Sequence, residues 1–262
     1  MTFDDYHAHT NLSYCCDDAV TPQQYVKAIQ RDASLRRVAM TNHGFAIYFP
    51  EDLAWRWEFM TNPSLFDRHL TWGNERLVRH LDEVDALRDQ GLLTGVEVEM
   101  MADGRLTVDP NLINRLDVVV GSVHWLPVSW QAGNDPAEIL DVWLAHVQRL
   151  LRTGIDVLGH PLRWLTGQVE DVPDHVVPHV VEMARQAGVA VEINAHYVVE
   201  TDVPLIREAA RTDTAVTFCT DAHRRDEIGQ FIYHLDLLKH AGLTVDDLRF
   251  WHPTRRGDLP GS

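Results

Sequence analysis

Residues 3–9 read Phe3-Asp4-Asp5-Tyr6-His7-Ala8-His9: a short strand-forming run that ends on two histidines spaced by two. Along an extended strand that spacing puts both imidazoles on one face. The arrangement returns down the chain. Other short apolar runs are followed by His43 (Thr41-Asn42-His43-Gly44), His124 (Gly121-Ser122-Val123-His124) and His160 (Gly159-His160-Pro161). One run carries Glu97 (Gly95-Val96-Glu97), and another leads into Asp221 and His223 (Thr220-Asp221-Ala222-His223).

Strand candidates fall at 3–6, 38–41, 93–98, 118–122, 156–159, 189–193 and 215–219. They are short and mostly β-branched, as buried parallel strands are. Helix candidates lie between them. Thr21-Pro22 opens one; residues 74–90 form another, with Leu77, Leu81, Val84 and Leu87 on one face and Gly91 at the end. Asp135-Pro136 opens a helix running toward Gly154, Asp171-Val172-Pro173 opens one that closes at Gly188, and one from about Arg225 closes at Gly242. Strand followed by helix, about seven times, predicts a parallel α/β fold closed into a barrel. No glycine-rich dinucleotide fingerprint follows any strand, which weighs against an open doubly wound sheet. The expectation is one domain over residues 1–262. The aromatic stretch 44–73 (among others Phe45, Tyr48, Phe49, Trp55, Trp57 and Phe59) reads as a long loop, either a satellite core or a lid over the site.

Lys plus Arg number 23 against 39 Asp plus Glu, a formal charge of −16. Such a surface repels phosphate backbones, so no nucleic-acid polymer is expected as partner. The three cysteines, Cys15, Cys16 and Cys219, are an odd number and two are adjacent, which reads as a reducing, cytoplasmic compartment. No run reaches membrane-spanning length, and no secretory signal opens the sequence.

Fifteen histidines stand in the chain, so position must separate function from packing. Carboxyl ends of barrel strands share one rim, where residues more than 200 apart in sequence can meet. Imidazole with carboxylate is the ligand set for zinc, manganese and iron. The remaining histidines fall elsewhere. His80, His146, His179, His234 and His240 read as helix-surface residues, His175 as a helix start, and His69 and His252 as loop residues; His196 stands at rim height as a pocket-lining candidate.

The ordered set His-x-His, Thr-Asn-His, Gly-Val-Glu, Gly-Ser-Val-His, Gly-His-Pro and Thr-Asp-Ala-His resembles the polymerase-and-histidinol-phosphatase (PHP) superfamily, from Tyr6 to about Phe231. The stretch 220–231, with Asp226, Ile228, Gly229 and Phe231, resembles its histidinol-phosphate phosphatase branch. The resemblance implies a distorted seven-stranded (β/α)7 barrel holding two to three divalent metal ions (Zn, Mn or Fe) and hydrolysing a small phosphorylated molecule. Carried over residue by residue, it implies a first metal on His7, His9, Glu97 and Asp221, and a second on Glu97, His124 and His160. A third falls on His43, His223 and a residue after His9. For that residue Asp17 is preferred, with Asp18, Cys15 and Cys16 as alternatives. Glu99 competes with Glu97 on the same strand face, and Asn42 stands where the family commonly has Asp, leaving a neutral supporting partner.

The chemistry expected of such a site is in-line attack on phosphorus by a hydroxide bridging two cations about 3.5 Å apart. Arg163 and Arg224, with Arg225 in reserve, are the candidates to grip phosphoryl oxygens, and Asp221 or a water is the candidate proton donor. Trp125, Trp130 and Trp164 suggest an aromatic rim suited to a flat leaving group. The segment 192–197 lacks the Arg that histidinol phosphatases often carry. Histidinol phosphate is therefore one candidate among several phosphomonoesters. A small nucleotide diester, amide hydrolysis or iron-dependent redox chemistry are the alternatives.

Overall fold

A computed structural model describes residues 1–254. The strands are β1 (Phe3–Ala8), β2 (Leu35–Met40), β3 (Leu92–Val98), β4 (Val118–Gly121), β5 (Val157–Leu158), β6 (Ala190–Asn194) and β7 (Val216–Cys219). They pair in sequence order, and every pairing is parallel. The circle closes just past the strands themselves. Asp221 N–H donates to the His7 carbonyl at 2.8 Å, His9 N–H to the Ala222 carbonyl at 3.2 Å, and Ala8 bridges Ala222 in parallel. The result is the nearly closed, seven-stranded barrel.

Two apolar cores follow from the alternation of side chains along the strands. The smaller joins residues of all seven strands, among them Tyr6, Ala39, Leu93, Val120, Val157, Ala190 and Cys219, and fills the barrel interior. The larger lies between the barrel and its helices, around the fully buried Trp143, Tyr25 and Phe218. The helices are α1 (Pro22–Arg31), α2 (Gly44–Tyr48), α3 (Glu51–Ala54), α4 (Glu58–Thr61), α5 (Ser64–Asp85), α6 (Pro136–Leu150), α7 (Arg163–Thr166), α8 (Val176–Ala187), α9 (Asp202–Thr212) and α10 (Ile232–Ala241). Their starts follow the sequence signals. Pro occupies the first turn of α1 and α6, and the Asp135 carboxylate accepts from Ala137 N–H at 2.8 Å. Gly188 closes α8 at φ 71°, a left-handed turn that a side chain would oppose. No helix among the described residues is long and apolar enough to cross a membrane.

The sequence reading departs from this structure in four places. The stretch 44–73 is not a loop but helical, and α5 starts ten residues earlier than expected. The mid-helix Gly73 hid that start. A Cβ there would fall 2.1 Å from the Tyr48 ring, so glycine is required for α2 to pack on α5. Helix α9 was not anticipated, because its buried set of Leu205, Ile206 and Ala209 is small and Pro204 interrupts the pattern. Helices α8 and α10 begin later than the turn residues suggested. Lastly, His80 and His234, read as surface residues, are 6% and 0% exposed; the first pairs with Asn42 and the second with the Ile193 carbonyl.

Candidate metal centre

Six of the seven strands, all but β6, deliver ligand candidates at their carboxyl ends, so these meet at one rim. Glu97, on β3, is fully buried and stands at the centre. Its Oε2 lies 3.2 Å from His7 Nε2, 3.6 Å from His9 Nε2 and 2.5 Å from His43 Nδ1. Its Oε1 lies 3.3 Å from His124 Nε2 and 3.2 Å from His160 Nε2. Asp221 Oδ1 is 2.8 Å from His9 Nε2 and 3.6 Å from His7 Nε2. Among the described residues, six sets bring potential ligand atoms within 4.8 Å of one another, among them His7/His9/Glu97, Glu97/His124/His160, His7/His160/Asp221, His9/His43/His223 and His43/Glu99/His124.

Unpaired atoms show what this cluster lacks. Fourteen buried side-chain N or O atoms among the described residues have no hydrogen-bond partner, and half belong here: His7 Nε2, His9 Nε2, His43 Nδ1, Glu97 Oε2, His124 Nε2, His160 Nδ1 and Asp221 Oδ1. An orphaned buried polar group costs about 1–3 kcal/mol. Six of them converge, while His160 turns its other nitrogen, Nε2, to Glu97 Oε1 at 3.2 Å, and this donor set fits divalent cations.

Hydrogen bonds on the far side of the rings set which nitrogen faces inward. Glu192 Oε1 accepts from His7 Nδ1 at 2.7 Å, and Glu99 Oε1 accepts from His124 Nδ1 at 2.8 Å. His223 Nδ1 donates to the Asp221 carbonyl at 2.7 Å. Ser13 gives its own hydroxyl proton to Asn42 Oδ1 at 2.9 Å, so it accepts from His9 Nδ1 at 3.3 Å. All four rings therefore hold a proton on Nδ1 and turn Nε2 toward the centre, the nitrogen that would give its lone pair to a bound metal. Burial alone would raise Glu97, but His7, His43 and His124 outweigh it and hold the carboxyl well below the ordinary range. Burial, with His43 and His223 adding repulsion, holds His9 well below its ordinary value, in the neutral form a metal requires.

The backbone also bends for this rim. Four non-glycine residues have positive φ among the described residues, and three are at the site: His160 at 25°, Trp57 at 57° and Asp221 at 50°. Such conformations cost on the order of 1–3 kcal/mol each and gather at functional sites.

Above the cluster opens a pocket of about 130 Å³. Phe45, Trp55, Trp57 and Tyr197 wall it, and Arg163 reaches in with its guanidinium 3.3 Å from the Tyr197 ring centroid. The aromatic stretch thus has two parts. Phe49, Phe59 and Phe66 are core, while Phe45, Trp55 and Trp57 border the pocket. The expected rim tryptophans are not the ones used: Trp130 is 59% exposed and Trp125 lines a separate cavity beside Met100 and His146.

Two candidates lie away from the pocket. Arg224 is exposed and held by Glu227 at 2.9 Å, because the turn after His223 sends it outward; Arg225 bonds the Ala19 carbonyl instead. Asp17 is also exposed, and it is its backbone N–H, not its carboxylate, that reaches the His223 carbonyl at 3.0 Å. Cys15, exposed like Asp17, lines the pocket beside His43 and His223. Burial raises its thiol, yet His43 and His223 pull it down to about 6. Glu99 bonds His124 Nδ1 through Oε1 at 2.8 Å and also falls in a set with His43 and His124. His196 stacks on His223 at 4.7 Å. Sequence reasoning missed Glu192, although a Glu inside Ala190-Val191-Glu192-Ile193-Asn194 is a polar residue at a strand's inward period.

A family model described as the PHP domain matches residues 5–196. Among curated relatives, the DNA polymerase/3'-5' exonuclease PolX of Bacillus subtilis is 26% identical over 57% of this chain and 25% of its own length. A probable phosphatase of Thermoanaerobacter sp. is 25% identical over 59% of this chain and 62% of its own. The chain thus spans less than two thirds of either relative. A solved structure of histidinol phosphate phosphatase from Lactococcus lactis, complexed with zinc, L-histidinol and phosphate, superposes with a TM-score of 0.59 at 17% identity, covering 93% of this chain and 95% of that one. That likeness is one of fold.

Proposed function

Because this chain belongs to the PHP domain family, we propose that it is a metal-dependent phosphoesterase acting on a small phosphomonoester. The carrying observation is the convergence of six unpaired, buried nitrogen and oxygen atoms beneath a small aromatic pocket that holds one arginine. Phosphatase names among its relatives, and the phosphate and zinc of the L. lactis complex, support the same reading.

In this reading His7, His9, Glu97 and Asp221 hold one ion, Glu97, His124 and His160 a second, and His43 with His223 a third. Bound ions would supply the Lewis acidity that activates water at neutral pH and offsets charge on the phosphoryl oxygens. The chain's own residues do the remainder. Arg163, stacked on Tyr197, offers paired N–H donors to the phosphoryl group. Phe45, Trp55 and Trp57 exclude water on one side and suit a flat leaving group. Asp221 has Oδ1 facing His9 and Oδ2 bonded by Asn194 Nδ2 at 3.1 Å, which favours the role of ligand over that of proton donor. A pocket of about 130 Å³ fits a phosphoryl group with a small appendage rather than a polymer.

The test is a phosphate-release screen on protein stripped of metal and reloaded with zinc, manganese or iron. The panel holds histidinol phosphate, nucleoside monophosphates, aryl phosphates and a diester. Release from monoesters that requires added metal is expected. Turnover confined to the diester, read by release of its alcohol, or none with any metal, refutes the proposal.

A further inference from the structure

The third cluster has two histidines of its own and a shared neighbour in His9, and the loop between β1 and α1 supplies what faces it. That loop is pinned by its backbone. Cys16 N–H donates to the Ser13 carbonyl at 3.0 Å, Asp17 N–H to the His223 carbonyl at 3.0 Å, and Val20 N–H to the Asp17 carbonyl at 2.9 Å. The Cys16 thiol donates to the same His223 carbonyl at 3.2 Å, which occupies it. Asp17 and Asp18 are exposed. Cys15 is exposed as well, but of the described residues of this loop it alone lines the pocket, beside His43 and His223.

We propose that Cys15 Sγ is a protein ligand of the third ion together with His43 and His223, and that it makes this position selective for thiophilic metals. The inference rests on the metal-dependent reading above. A second observation supports it independently of the thiol. His43 is 6% exposed, its Nδ1 has no hydrogen-bond partner, and the ligand atoms of His9, His43 and His223 lie within 4.8 Å of one another. A thiolate with two imidazoles suits zinc or cobalt and disfavours magnesium or manganese. Three protein ligands leave a fourth position open, as at catalytic zinc sites. On binding, the Sγ–H bond breaks, its proton passes to solvent and the sulfur lone pair forms the bond to the metal.

The test is cobalt(II) titration of the metal-free protein, read by absorption and elemental analysis. The wild type should develop a thiolate-to-cobalt charge-transfer band in the near ultraviolet, and bound zinc should protect Cys15 from iodoacetamide. Cys15→Ala and Cys15→Ser should lose that band and one equivalent of tightly bound metal while keeping the remaining ions and the circular dichroism of the wild type. Cys16→Ala should keep the band. Cys15→Asp should regain the equivalent and prefer manganese. If the wild type binds metal with no such band, or Cys15→Ala keeps both band and stoichiometry, the ligand assignment falls while the metal-dependent reading stands. If the wild type binds less than one ion per chain, both fall.

Discussion

Glu192→Gln should damage metal binding although Glu192 touches no metal in the proposed arrangement. Glu192 Oε1 accepts from His7 Nδ1 at 2.7 Å, while Oε2 accepts from His160 N–H and from Asn194 Nδ2 at 3.1 Å. An amide satisfies one side only. With its oxygen toward His7, its NH2 meets two donors, each left unpaired at about 1–3 kcal/mol. Turned the other way, the NH2 faces His7 Nδ1, driving the ring proton to Nε2 and removing the inward lone pair. Either orientation should weaken metal binding by about 10- to 100-fold, or about 1.4–2.7 kcal/mol. Glu99→Gln is the matched control. Glu99 Oε1 accepts from His124 at 2.8 Å, but Oε2 faces the Thr107 hydroxyl, which can turn and accept from an NH2. That variant should lose less than about threefold. The assay is zinc or manganese competition against a chromophoric chelator, with circular dichroism to verify the fold. Equal affinities for the two variants, or the larger loss in Glu99→Gln, would refute the reasoning.

Three further outcomes are expected. Glu97→Gln should lose catalytic activity and at least one ion together, by rate and elemental analysis, since a neutral amide replaces the carboxylate that five imidazoles surround. Arg163→Ala should lower kcat/KM on phosphomonoesters by about 30- to 1000-fold, the worth of a charge-assisted bidentate contact of about 2–4 kcal/mol, with metal content intact, whereas Arg224→Ala, already turned to Glu227, should stay near wild type. Asp202 is pushed up to about 6 by burial, against the lowering bonds from Tyr233 and Val199. Its native state therefore keeps a proton that the unfolded chain has released, and stability falls as pH rises from about 4 to about 6. Denaturant unfolding of wild type and Asp202→Asn across that window should diverge by up to about 3 kcal/mol, and parallel curves would refute it.

The barrel was readable because buried parallel strands leave a strong mark: brief β-branched runs, each released into a histidine or carboxylate. The helical stretch 44–73 was not, because its periodicity is broken by Pro50, Pro63 and the Gly73 that Tyr48 covers. The residues brought to the rim, His7 through His223, could be named from local spacing, since a strand end fixes their height. The groups behind them could not. Glu192, Ser13 and Asn42 act through partners up to 185 residues away, and nothing in a linear reading separates Glu192 from any other acid in a strand. The loop after β1 misled for a related reason. The resemblance pointed to Asp17, but that carboxylate is exposed while its backbone N–H holds the His223 carbonyl, and Cys15 is the loop residue that lines the pocket.

The seam between the first strand and the last carries one more consequence. His7 and His9 stand on one side of it and Asp221 and His223 on the other, joined by the Ala8–Ala222 bridge. On the ribosome, the nascent chain exposes its earliest proposed ligand some two hundred residues before its latest, so the centre could not be assembled until β7 and the turn after it have been made. Loading would thus wait for the last strand of the barrel. A chain arrested after β6 would carry His7, His9, His43, Glu97, His124 and His160 without Asp221 and His223, and an open edge strand, the form a quality-control protease is best placed to recognise.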